Sequence, residues 1–151
     1  MMKKDRFDIA TPGLREAEEI CARRGARLTR LRRAVLGLLL SAGSPVKAYD
    51  LIEWMRDQGV RLAPTTIYRT LDFLLRHGLA HRINALNAYV PCTGNHDEHS
   101  LLMFVCSECQ QAEELEDPIL YQAMRARLDE LGMSLQDNGI EIQGACRKCK
   151  A

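Results

Sequence analysis

Two cysteine pairs of identical spacing constrain this chain more than any other feature: Cys106-Ser-Glu-Cys109 and Cys146-Arg-Lys-Cys149. Each C-x2-C pair can present both sulfurs from one tight turn. Two such turns close a tetrahedral four-thiolate shell with no open position, the pattern of structural zinc. The 36 residues between the pairs, 110 to 145, exceed the usual ribbon spacing and must contain structure of their own. They read as a strand near Gln110–Leu115, a helix over Pro118–Leu131 and a strand over Gly139–Ala145. A redox dithiol is the competing reading, but it is normally one such pair beside a βαβ pattern, which is absent here. About sixty residues make a poor core alone, and a closed metal site is the usual remedy; metal binding is then folding free energy.

Charge divides the chain at the same place. Residues 1–91 carry 16 Lys and Arg against 9 Asp and Glu, whereas residues 92–151 carry 5 against 11, although the whole sums to only +1. A basic half joined to an acidic half argues for two small domains, 1–90 and 91–151, the first suited to a polyanion. With 151 residues, 46% hydrophobic and 27% charged, the composition is that of a globular α+β protein, not of a disordered chain. No apolar run approaches the ~20 residues of a spanning helix, and the charged start Met1–Arg6 does not lead into a signal-peptide core. A soluble cytoplasmic protein is expected, with no membrane partner.

The basic half reads as a winged helix-turn-helix. Thr11-Pro12 marks a helix start and Gly25 its stop. A second helix follows Thr29, a third spans Ala48–Asp57, and a fourth runs from about Thr65 to His77. Ile67, Leu71, Leu74 and Leu75 give the fourth helix one buried stripe. Its remaining surface carries Thr65, Tyr68 and Arg69, groups that suit a major groove: a guanidinium can address a guanine edge, and a helix N-terminus faces phosphate. Two short strands, Leu79–Ile83 and Asn87–Val90, around Asn84-Ala85-Leu86 complete the wing. Arg27, Arg30, Arg32, Arg33 and Lys47 are candidate phosphate contacts.

Further ligand types are scattered: His81 on the wing, Cys92 just beyond it, His96, His99, and the acids around Glu114. Their spacing alone leaves bland alternatives open, namely a surface histidine, a small buried thiol and a solvated acidic run. His96-Asp97-Glu98 ahead of a C-x2-C pair is similar to the zinc deaminase signature. No proline precedes Cys106, and a closed four-sulfur shell leaves no site for a reacting water, so neither an enzyme nor a small-molecule substrate is expected.

The residues Arg27-Leu28-Thr29, Ala48-Tyr49-Asp50-Leu51, Pro64 through Leu74, Gly78 through His81, Asn87 through Cys92, His99, and Ile140 through Cys146 resemble the ferric uptake regulator family, most closely its zinc-sensing branch. The likeness runs in order from about residue 14 to 149. It implies a homodimer with an N-terminal winged helix and a C-terminal α/β dimerisation domain, which binds double-stranded operator DNA when metal-loaded and represses uptake genes. It further implies two zinc ions per chain: a structural one on Cys106, Cys109, Cys146 and Cys149, and a sensing one on His81, Cys92, His99 and Glu114. Tyr49 and Arg69 become the leading base-contact candidates, with Thr65 and Tyr68 beside them. A thiolate, two imidazoles and a carboxylate suit tetrahedral zinc, whereas an iron or manganese sensor favours nitrogen and oxygen at higher coordination, so Cys92 is the discriminating residue. The chain departs from the family at Arg30-Leu31 and in the short loop Thr93–Glu98, whose extra His96 is expected to face solvent. The rival readings are a ferrous-iron or peroxide sensor of the same family, and a zinc-stapled dimeric interaction protein that never touches DNA.

Overall fold

The computed structural model describes residues 12–92, 101–136 and 139–150. Thr11, His96 and His99 lie outside the described residues. The chain begins with four helices: α1 Pro12–Arg23, α2 Arg30–Ala42, α3 Ala48–Asp57 and α4 Pro64–Arg76. Thr29 caps α2, its hydroxyl accepting from the Arg32 backbone N–H at 3.4 Å, as expected of an N-cap threonine. Proline at the first position starts α4 without costing a bonded N–H. Leu14, Ile20 and Cys21 of α1, Val35 and Leu39 of α2, Leu51 of α3, and Ile67, Leu71 and Leu74 of α4 bury their side chains in one core. Cys21 therefore serves as a small apolar residue. Thr70, buried among them, gives its hydroxyl proton to the Thr66 carbonyl at 2.8 Å, so the polar atom is satisfied.

Strands β1 Ala80–Ile83 and β2 Ala88–Pro91 form the antiparallel wing. It is tied to the helical core twice. Leu79 N–H bonds the Leu74 carbonyl at 2.8 Å, directly after α4, and Val46 exchanges two backbone bonds with Tyr89, at 2.9 and 2.8 Å. The wing is thus joined both to the end of α4 and to the segment before α3.

The acidic half holds a three-stranded sheet in the order β4-β3-β5, built from β3 Leu102–Cys106, β4 Ala112–Glu114 and β5 Ile140–Gly144, with α5 Pro118–Glu130 between β4 and β5. The sequence reading anticipated β4, α5 and β5 but not β3, the central strand. β3 is buried along nearly its whole length, so it reads as an unbroken apolar run without the alternation that marks a half-exposed strand. β3 pairs antiparallel with β4 and parallel with β5. Gly139 opens β5 at φ +83°, where a Cβ would stand 2.8 Å from the Leu101 carbonyl oxygen; only glycine fits.

A second, smaller core joins the halves: Ile83 of the wing packs with Met103 and Val105 of β3. α5 contrasts with the other helices, burying only Tyr121 while Ile119 stays 82% exposed. No described helix is long and apolar enough to cross a membrane.

Leu71 is fully buried at the centre of the helical core. Leu71→Ala is expected to cost about 2–5 kcal/mol, seen as a lower denaturation midpoint at unchanged slope; a shift near zero would contradict this packing.

Candidate metal centres and nucleic-acid face

The two C-x2-C turns meet at one end of the β3–β5 pair. Cys106 ends β3, and Cys146 follows β5 by two residues. Parallel register aligns Cys106 with Gly144, and the Ser107 N–H bonds the Gly144 carbonyl at 2.9 Å, so the sheet itself juxtaposes the turns. Each turn folds back on its first cysteine: Gln110 N–H reaches the Cys106 carbonyl at 2.9 Å, and Lys150 N–H reaches that of Cys146 at 2.8 Å. Gln110 adopts the left-handed φ of 61° to do so.

All four thiols are free, and their sulfurs lie within 4.8 Å of one another. The Cys109 and Cys146 sulfurs are 3.8 Å apart. Zn–S bonds near 2.3 Å place the sulfurs of a regular tetrahedron about 3.8 Å apart, so the residues fit a four-coordinate dication. Their acidities agree. Backbone N–H donors of Cys109 and Cys146 hold the Cys106 thiol down at about 6, and the N–H groups of Cys149 and Lys148 lower Cys146. Hydrogen bonding to Cys146 and Cys109 pushes Cys149 up to about 12. A bound dication would deprotonate its coordinating thiols outright.

A second cluster spans the halves. His81 of β1, Cys92 after β2 and Glu114 at the end of β4 bring potential ligand atoms within 4.8 Å of one another, each residue half-buried. Three local features place them. His81 sits opposite Val90 in the wing. The Cys92 N–H bonds the Leu79 carbonyl at 3.0 Å. Glu114 lies opposite Met103 in the sheet. Three of the four expected sensing residues therefore converge, and the fourth, His99, lies outside the described residues. Imidazole, thiolate and carboxylate are a donor set that suits zinc.

In the helical half, Tyr49 of α3 is 66% exposed and Tyr68 of α4 48% exposed. Thr65 and Arg69 of α4 and Arg27 and Arg30 near the start of α2 are exposed as well. The Tyr49 phenol is hydrogen-bonded to Glu53, which raises its pKa by holding the proton. Arg32 and Arg33 have local partners. The Arg32 guanidinium lies 3.6 Å from the Phe73 ring centroid and donates to the Arg27 carbonyl at 2.7 Å, linking α2 to α4. Arg33 pairs with Glu18 of α1. Neither the Arg32–Phe73 stack nor the bonds from the Asn84 and Ala85 N–H groups to the Glu141 carboxylate were legible in the sequence, because each joins residues far apart in the chain.

Residues 23–143 match the ferric uptake regulator family. The zinc uptake regulation protein of Escherichia coli strain K12 is 36% identical over 137 residues, spanning 90% of this chain and 80% of that protein. Holo XcZur superimposes with a TM-score of 0.79 at 41% identity, covering 90% of this chain and 95% of its own. Apo XcZur, also 41% identical and covering 92% and 96%, reaches only 0.54. A zinc uptake regulator complexed with zinc and DNA superimposes with a TM-score of 0.80 at 35% identity, covering 92% and 95%.

Cobalt(II) in place of zinc reports thiolate ligation through its visible absorption. Cys109→Ser is expected to weaken the sulfur-to-cobalt band and lower thermal stability; an unchanged band would place the metal elsewhere.

Proposed function

The chain belongs to the ferric uptake regulator family, and on that premise we propose that it is a zinc-responsive transcriptional repressor, binding operator DNA as a zinc-loaded homodimer and controlling zinc uptake genes. The observation that carries this reading is the convergence of His81, Cys92 and Glu114 from both halves of the chain onto one point. Similarity to the holo form rather than the apo form of XcZur, and to the zinc- and DNA-bound regulator, supports it.

In this reading residues 1–90 are the DNA-binding unit and 91–151 the zinc-binding and dimerisation unit, acting in the cytoplasm with two zinc ions per chain. Cys106, Cys109, Cys146 and Cys149 hold the structural ion. His81, Cys92 and Glu114, with His99 as fourth ligand, hold the sensing ion, which supplies bonds between wing and sheet. Because the wing is hydrogen-bonded to α4, fixing the wing fixes α4 relative to the sheet. A dimer built on the second half then sets the spacing of its two α4 helices, which successive major grooves require. The ligand acts through its greater affinity for that arrangement.

Dimerisation is supported by apolar surface that the chain does not cover itself. Ile119 of α5, and Leu131 and Met133 beyond it, are exposed, and a second copy would bury them. Tyr49, Thr65, Tyr68 and Arg69 are the proposed base-reading residues, with Arg27 and Arg30 on phosphates. Arg32 was expected among the phosphate contacts; its stack on Phe73 supports a role in holding the α2–α4 pair. Cys92 counts against the ferrous-iron and peroxide-sensing alternatives, because a thiolate favours zinc. The closed four-sulfur shell counts against an enzyme.

Operator titrations test the reading. The wild-type chain is expected to bind specific duplex only with zinc, and Cys92→Ser to lose that zinc dependence. Arg69→Ala is expected to lose about 1–3 kcal/mol of discrimination between operator and random duplex. Equal affinity for both duplexes with and without zinc in the wild type would overturn it.

A further inference from the structure

Glu141 lies on β5, 27 residues beyond Glu114, and belongs to no metal cluster found among the described residues. Its carboxylate faces the tip of the wing. One oxygen accepts the backbone N–H of Asn84, and the other accepts that of Ala85 at 3.0 Å. These two N–H groups open the turn that follows β1, outside the β1–β2 ladder, and the carboxylate satisfies both with charge-assisted bonds. The sheet register shows why the side chain is there. Met103 is paired with Glu114 on one side and Glu141 on the other. Paired residues in adjacent strands project from the same face, so Glu114, Met103 and Glu141 form one transverse row. All three meet the wing. Glu114 approaches His81 and Cys92, Met103 packs on Ile83, and Glu141 holds Asn84 and Ala85.

We infer that Glu141 is a positioning residue for DNA binding: its carboxylate clamps the wing turn onto the second half's sheet, and so stabilises the same arrangement that the His81–Cys92–Glu114 cluster requires. This rests on the regulator reading above. An arrangement favoured by two attachments must couple them, because linkage is reciprocal. Loss of the clamp therefore weakens both zinc at the wing–sheet cluster and operator DNA, although Glu141 touches neither.

The direction of the effect separates this role from plain electrostatics. Removing a carboxylate from a protein that binds a polyanion should strengthen binding; removing the clamp should weaken it. Gln at this position keeps one acceptor but turns an amide N–H toward a backbone N–H. Asn84→Pro removes one of the two donors from the wing side and leaves Glu141 intact. Position 84 opens the turn, where proline is favoured.

The test uses the full-length zinc-loaded chain, comparing wild type, Glu141→Gln, Asn84→Pro and the double variant. Zinc is titrated in a metal buffer, operator binding is followed at fixed free zinc, and exchange of the Ala85 amide is read by NMR. Each single variant is expected to keep the four-cysteine zinc and its secondary structure. Each should lose about 10-fold in affinity for the second zinc and for operator, and Ala85 should exchange faster in Glu141→Gln. The double variant is expected to be no worse than the weaker single variant. Unchanged or tighter operator binding by Glu141→Gln, with the wild type responding to zinc, would overturn the clamp. A wild type that does not respond to zinc on DNA would overturn the regulator reading instead, and the zinc affinity and amide exchange would then judge the clamp alone.

Discussion

One transverse row of a three-stranded sheet holds the wing: Glu114, Met103 and Glu141, side by side on β4, β3 and β5. The row exists only while β3 and β5 stay paired in register. Those strands are connected through α5 rather than by a tight turn, so no local connection fixes their register. The two cysteine turns hold it at the strand ends. The Ser107–Gly144 backbone bond and the four converging sulfurs close the pair where β3 stops and shortly after β5 does. Little else is available. Among the described residues, the buried apolar side chains here are Leu102, Met103, Val105 and Cys106 of β3 and Tyr121 of α5, with Ile83 from the wing. A core this small gives a metal shell a large share of the stability of the second half.

The two sets of ligands therefore differ in kind. The four sulfurs come from one sheet end, close on themselves, and join segments that are already neighbours. His81, Cys92 and Glu114 come from the wing, the segment after it, and the sheet. A bond among the first set stabilises a fold; a bond among the second changes the freedom of one half relative to the other. The wing is joined to the end of α4 by the Leu79–Leu74 backbone bond and to the segment before α3 by the Val46–Tyr89 pair. In the proposed function, constraint at the wing would reach the exposed face of Thr65, Tyr68 and Arg69 through these bonds and the packed side chains of α4.

Much of this was legible in the sequence, and the exceptions have physical causes. Helix signals are local, so α3 fell on Ala48–Asp57 as expected, Thr29 capped α2, and α4 and α5 differed from expectation by about a residue at an end. The four-sulfur cluster was legible because both pairs announce themselves by spacing. β3 was not, since a strand buried on both faces loses its alternation. The His81–Cys92–Glu114 cluster needed a family resemblance, because its members sit on three separate elements and no short-range pattern links them. Glu141 was invisible for a stronger reason: its role depends on the parallel register of β5 with the one strand that was missed. Arg32, read as a candidate phosphate contact from its place near a helix start, also stacks on Phe73, a long-range contact that no local pattern announces.

The proposed function needs zinc in two places of different character, one closing the sheet and one joining sheet to wing. Zinc bound per chain, measured under buffered free zinc for wild type and Cys92→Ser, tests it most directly. Two zinc ions falling to one, with the fold retained, is the expected result. One zinc in both proteins would contradict it, leaving a sheet staple and no joint for zinc to control.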